Sequence, residues 1–200
     1  MAKIYLFLAD GFEIIEALAP VDILRRGGMD VVTVSIMGRK EVTSAQNLTV
    51  VANTLFEEVE SFDDADMLVL PGGWPGADNL NKFQPLRDLI VSHHDKGRLI
   101  GAICAAPMVL GTLGLLRGHR ATCYPSFEEY LDGCETTNEL VTEDGLFTTA
   151  CGPAAALAFA YALLTRFLSV EEIEELQTGM QYVRMVKTMQ SLPESVYITK

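Results

Sequence analysis

The 200-residue chain has no cluster of Lys and Arg, no CxxC pair, no unbroken apolar run of membrane length, and only three histidines. Each absence removes a class of function. Fifteen basic against 27 acidic residues give a net charge of −12, which opposes binding to nucleic acid or to an anionic membrane. The four cysteines, Cys104, Cys123, Cys134 and Cys151, lack metal-ligand spacing and a nearby His, so no metal site is expected. Neither GxxxxGK[ST] nor GxGxxG occurs, which excludes the common phosphate loops. Two uncharged runs, 99–116 and 145–165, are interrupted by corners at 104–107 and at Gly152-Pro153. The remaining pieces fall short of the ~20 residues of a membrane helix. Between Lys3 and Asp10 stand six apolar residues, too few for a signal-peptide core. A reducing cytoplasm with free thiols is therefore expected.

What is present is globular: 49% of residues are apolar and 21% charged. One domain over 1–200 is expected, since no linker, repeat or low-complexity segment occurs. A chain of this length buries roughly 70% of its unfolded surface. Buried strands are predicted at 3–9, 30–36, 67–70 and 99–103, with helices at 14–26, 85–96 and after Cys104. Segments 42–45 and 48–52 read as a hairpin or a short excursion from the sheet, 120–124 as strand-like and 127–131 as a short helix. Segments 139–142 and 146–150 flank the turn Glu143-Asp144-Gly145. Pro153 opens an apolar helix to about 167, Ser169 caps an acidic one, and 179–200 reads as an extension or a partner-contacting tail. Repeated βα units with continuous apolar strands imply a mainly parallel sheet covered on both faces. Sites in such folds lie at the carboxyl ends of strands, here Asp10-Gly11, Pro71-Gly72-Gly73 and Cys104.

The segment around Cys104 carries the most chemistry. A strand running into a helix with one nucleophilic residue at the corner has nucleophile-elbow character, and Ala102 and Ala106 supply the small neighbours that such a turn requires. The helix N-terminus would favour thiolate over thiol. A core cysteine is the competing reading of this segment taken alone. Gly72 and Gly73 let backbone amides approach closely and, with Ala105, could line an oxyanion hole. Glu16 sits among Ile14, Ile15, Ala17, Leu18 and Ala19, on a surface that would bury its carboxyl and push it toward protonation. A solvated helix face is the alternative. Pro20 cannot donate to the Glu16 carbonyl, which predicts a loosened or kinked turn. The histidines read as surface residues: His93 and His94 on a polar helix end, His119 ahead of a strand.

Three motifs in order, 11–22 (GFEIIEALAPVD), 70–73 (LPGG) and 102–107 (AICAAP), resemble the ThiJ/PfpI superfamily, most closely the branch of the parkinsonism-associated protein deglycase and its bacterial relatives. The resemblance covers roughly 3–168. It implies a flavodoxin-like three-layer sandwich, related to class I glutamine amidotransferases, and a homodimer. It also implies Cys104 as the reactive cysteine, Glu16 as its protonated partner, and backbone amides from Gly72, Gly73 and Ala105. The activity implied is of the glyoxalase III or deglycase type, on reactive α-oxoaldehydes or their adducts, without metal or organic cofactor. A redox sensor or chaperone-like protein working through oxidation of Cys104 is the alternative, with a small aldehyde or an oxidant as the respective partner. Two departures stand out. Ala105 follows the nucleophile, and 121–125 (ATCYP) carries Cys123 where the branch often has histidine, so the Cys–His–Glu triad of peptidase relatives is not supported. Cys123 is then a candidate accessory thiol. Cys151 stands where the branch can show Arg, which removes that anion-binding group.

Overall fold

β1 (Lys3–Leu8) is apolar at almost every position because both of its faces are covered. Its even-numbered side chains, Ile4, Leu6 and Leu8, join one core cluster, while Tyr5 and Phe7 join another on the opposite face. This period-two division repeats in β6 (Met67–Leu70), where Met67 and Val69 face one way and Leu68 and Leu70 the other. Each such side chain, fully buried, contributes about 1.5–3 kcal/mol.

The computed structural model describes residues 1–191. Between β1 and β6 lie α1 (Ile14–Arg26), β2 (Asp30–Ser35), β3 (Glu41–Thr43), β4 (Thr49–Val51) and β5 (Thr54–Leu55). Then come α2 (Gly76–Lys82), α3 (Gln84–Asp95), β7 (Leu99–Ile103), α4 (Pro107–Thr112), β8 (Arg120–Ala121) and β9 (Glu135–Thr136). The remainder is β10 (Val141–Asp144), β11 (Phe147–Ala150), α5 (Ala156–Leu164), α6 (Val170–Gly179) and α7 (Tyr182–Ser191). Seven strands form one sheet in the order β10-β11-β7-β6-β1-β2-β5. All of its pairings are parallel except the antiparallel β10–β11 hairpin at the edge. Residues from α1 and α5 (Ala17, Leu24, Phe159, Leu163) cover one face. Residues from α2, α3 and α4 (Leu80, Leu86, Ile90, Val109, Leu110) cover the other. This is the flavodoxin-like α/β sandwich with a mainly parallel sheet that the residues and the resemblance implied.

Several boundaries differ from the sequence reading. The helix after β6 is two helices separated at Phe83; its first part, α2, was not expected, because the Gly-Gly-Trp-Pro lead hides a weakly apolar segment. The strand-like stretch 120–124 pairs only at Arg120 and Ala121, in a small sheet with β9. The hairpin of 42–45 and 48–52 is present as β3 and β4, off the main sheet. α1 passes through Pro20 unbroken. At the start of α6, Ser169 forms a complete capping box with Glu172, its Oγ accepting from the Glu172 N–H at 3.3 Å. The tail expected from 179 onward is helical over α7, and its last nine residues, 192–200, lie outside the described residues. Among the described residues no helix is long and apolar enough to cross a membrane.

Candidate active site

The strands β7, β6 and β1 are neighbours, so the loops after their carboxyl ends converge on one point. Cys104 leaves β7 with φ +64°, in the left-handed region that non-glycine residues seldom occupy. The turn is held from both sides. The Cys104 N–H donates to Ala150 O at 2.7 Å, and Cys104 O accepts from the Tyr124 N–H at 2.8 Å. Strand register, rather than any local helix, fixes the nucleophile's position. α4 begins only at Pro107, after a turn over 104–106, and is six residues long, so the helix field expected to favour thiolate is weak here.

Glu16 projects from the covered face of α1 and is fully buried. Its Oε2 accepts from the Gly72 N–H at 3.0 Å. The expectation that Gly72 lines an oxyanion hole is thereby corrected: its amide serves the carboxyl. A β-carbon on Gly72 would stand 2.6 Å from Glu16 Oε2 and 2.7 Å from the Cys104 β-carbon, so this glycine is the space in which the two groups meet. Gly73, with φ +90°, turns the chain against the backbone of Gly11–Glu13. Its N–H and that of Ala105 act on the Cys104 sulfur.

The electrostatics belong to the pair. Burial pushes the Glu16 carboxyl up to about 7; hydrogen-bonding influence from Cys104 and Gly72 opposes this, and the charge of Glu13 adds to it. The Cys104 thiol is also raised, by burial first and then by the charge of Glu16, against the pull of the Gly73 and Ala105 amides. A resting thiolate held by a helix dipole, as expected from sequence, is therefore not what the surroundings favour. Two acids in contact in a buried site share one negative charge. The thiol and carboxyl interact directly, yet no formed hydrogen bond joins them, and Glu16 Oε1 is a buried oxygen without a partner. A proton on Oε1 would satisfy that oxygen and donate toward the sulfur.

Above Cys104, which is 8% exposed, opens a cavity of about 240 Å³ lined also by Glu13, Gly73, Trp74, Ala105, Tyr124, Phe127 and Pro153. Sequence reasoning missed five of these residues as part of the site: Glu13, Trp74, Tyr124, Phe127 and Pro153. The only Trp of the chain, directly after Gly72-Gly73, was the available signal.

Cys123 does not line this cavity. It packs in the opposite core cluster, where burial first, then the charge of Glu128 and the neighbouring thiol of Cys134, push its own thiol up to about 12. The residue of that strand end presented to Cys104 is Tyr124. Alternation explains the difference, since adjacent residues of an extended segment point to opposite sides. His93 is a correction of another kind. It is buried at 2% exposure, its Nε2 lies 3.1 Å from Leu99 O, and burial holds its imidazole at about 4. His94 and His119 are half-buried against Phe147 at the far edge of the sheet. Among the described residues no cluster is suited to a metal ion.

Residues 2–166 match the model of the DJ-1/PfpI family. The chain belongs to this family. It is 38% identical over 175 residues to Protein DJ-1 homolog B of Arabidopsis thaliana, covering 86% of this chain and 40% of that protein, so it spans less than half of that plant relative's length. It is 29% identical over 181 residues to a Schizosaccharomyces pombe protein named glutathione-independent glyoxalase DJ-1, covering 86% of this chain and 94% of that one. Among solved structures, oxidized Toxoplasma gondii DJ-1 superposes with a TM-score of 0.85 at 31% identity, covering 90% of this chain and 98% of the other. The family match ends at 166, so α6 and α7 lie beyond it.

Proposed function

We propose that this DJ-1/PfpI chain converts small α-oxoaldehydes such as methylglyoxal to hydroxy acids, using Cys104 as nucleophile and Glu16 as proton carrier. One observation carries the reading: a buried carboxyl, raised to about 7 and with one oxygen free, stands beside a strained cysteine at the floor of a small cavity. A carboxyl poised near neutral pH can both take and return a proton. The S. pombe relative's name supports the substrate class.

The thiol proton passes to the ionised Glu16 carboxylate as sulfur adds to the aldehyde carbon, and Glu16 returns it to the carbonyl oxygen, so that a C–S bond forms, the C=O double bond becomes a C–OH and a hemithioacetal results. The N–H groups of Gly73 and Ala105 receive the developing oxygen charge. A proton then moves from the former aldehyde carbon to its neighbour, Glu16 being the nearest carrier, and leaves a thioester. Water cleaves the thioester to the hydroxy acid and restores the thiol. Carbon oxidation at one centre balances reduction at the next, so no external oxidant enters. Without a histidine in the cavity, Glu16 handles every proton, and turnover is expected to be slow.

Methylglyoxal supplied to the purified protein should yield lactate. Absence of lactate, or equal production by Cys104→Ala, would refute the assignment. A homodimer and a cytoplasmic location accompany the proposal. Exposed Ile15 on α1 and Leu48 and Val51 around the β3–β4 hairpin supply apolar area for such a contact.

A further inference from the structure

The cavity over Cys104 is walled by three aromatic rings and one carboxylate. Trp74 and Phe127 meet edge to face with centroids 5.8 Å apart, and Tyr124 meets Phe127 the same way at 6.4 Å. Trp74 and Tyr124 keep 54% and 46% of their surface exposed, so ring area remains available to an occupant. Exposed aromatic surface gathered around one opening is a marker of a binding site. Glu13 is the only Asp, Glu, Lys or Arg among the lining residues. Its Oε2 accepts a hydrogen bond from the neutral side-chain amide of Gln46, and among the described residues no ion pair to Glu13 is formed. Aromatic rings and an uncompensated carboxylate thus border one opening. An anionic occupant would be repelled, and a purely apolar one would have to cover the carboxylate without compensating it. A weakly hydrated organic cation satisfies both features at once.

We propose that the mouth of the cavity is a cation subsite, in which Trp74, Tyr124 and Phe127 cage an alkylammonium or guanidinium group, with Glu13 as its counter-ion. The subsite rests on the reading of Cys104 as the nucleophile, because it selects the carbonyl compound that reaches the sulfur. Substrates favoured here carry their reactive carbonyl on a cationic body, and free carboxylate-bearing oxo acids are disfavoured.

Charge-matched thiol reagents test this without any turnover. Three methanethiosulfonates are compared on the full chain: trimethylammonioethyl (cation), 3,3-dimethylbutyl (its neutral isostere) and sulfonatoethyl (anion). Labelling rates are read residue by residue by mass spectrometry. The half-buried Cys134 and Cys151 serve as internal references, since the net charge of −12 attracts cations to every thiol. The cation-to-neutral rate ratio at Cys104 should exceed that at the references by about tenfold. Trp74→Leu should lower that excess by about threefold, through loss of the ring. Glu13→Gln should lower it too, and should accelerate the anion. Equal ratios at all three cysteines would overturn the subsite alone, as would fastest labelling by the neutral isostere, which would mark an apolar pocket. Failure of Cys104 to react with any reagent while Cys134 and Cys151 do would overturn the nucleophile assignment, and the subsite with it.

Discussion

Cys104 and Cys123 are both buried, both stand just beyond a strand's carboxyl end, and both have thiols raised by burial. They differ in what surrounds the sulfur. Cys104 sits at φ +64°, with a buried carboxyl beside it, two amides on it and a cavity above it. Cys123, 6% exposed, faces the core under α4 and lacks these features. Burial and position at a strand end therefore do not make a cysteine functional. Under the proposed function, the strained turn held by Ala150 and Tyr124 and the neighbouring carboxyl of Glu16 set Cys104 apart.

The largest expected contrast is in activity. Cys104→Ala should reduce lactate formation from methylglyoxal by at least about 10³-fold, while Cys123→Ala stays within about threefold of the parent. Comparable losses in both variants would erase the distinction. Next comes the space between thiol and carboxyl. Gly72→Ala places a methyl 2.6 Å from Glu16 Oε2 and should lower kcat by about 100-fold, with Cys104 still present and the chain folded by circular dichroism.

The burial of Glu16 also predicts a stability effect with a definite sign. Its carboxyl is raised from 4.5 to about 7 in the folded state, so the native chain holds this proton more tightly than the unfolded chain. The stabilisation from that proton is complete below pH 4.5 and is lost as pH rises through about 7. Glu16→Gln, which never ionises, should match the parent near pH 4 and exceed it at pH 8 by on the order of 2 kcal/mol in urea unfolding. Equal stability at both pH values would place the Glu16 titration in the ordinary carboxylate range. The smallest effect expected is that of Tyr124→Phe, a change within about threefold, because no step of the proposed reaction uses its hydroxyl; a larger loss would assign the hydroxyl a proton.

Much of this arrangement was legible in the sequence. The strand periods of 3–9, 67–70 and 99–103 determine which loops meet, and Glu16 among apolar neighbours signals a buried acid. Three things were not legible. The destination of the Gly72 amide depends on where α1 delivers Glu16, a tertiary fact. The exchange of Tyr124 for Cys123 depends on a single residue of register in a segment with almost no strand pairing of its own. The burial of His93 depends on α3 packing its polar end over β7, which a helical pattern alone does not reveal.

The central claim is that Glu16, and not a helix end, sets the reactivity of Cys104 apart from that of an ordinary buried thiol. The pH dependence of iodoacetamide alkylation, followed separately at Cys104 and Cys123, tests it most directly. In the parent, labelling of both cysteines should be slow at neutral pH and rise only in alkali, because burial raises both thiols and the charge of Glu16 raises that of Cys104 further. In Glu16→Gln the Cys104 midpoint should move downward by at least about one unit, since the carboxylate charge that raises this thiol is gone, while that of Cys123 stays unchanged. An unchanged or raised Cys104 midpoint in that variant, or an equal shift at Cys123, would contradict the claim.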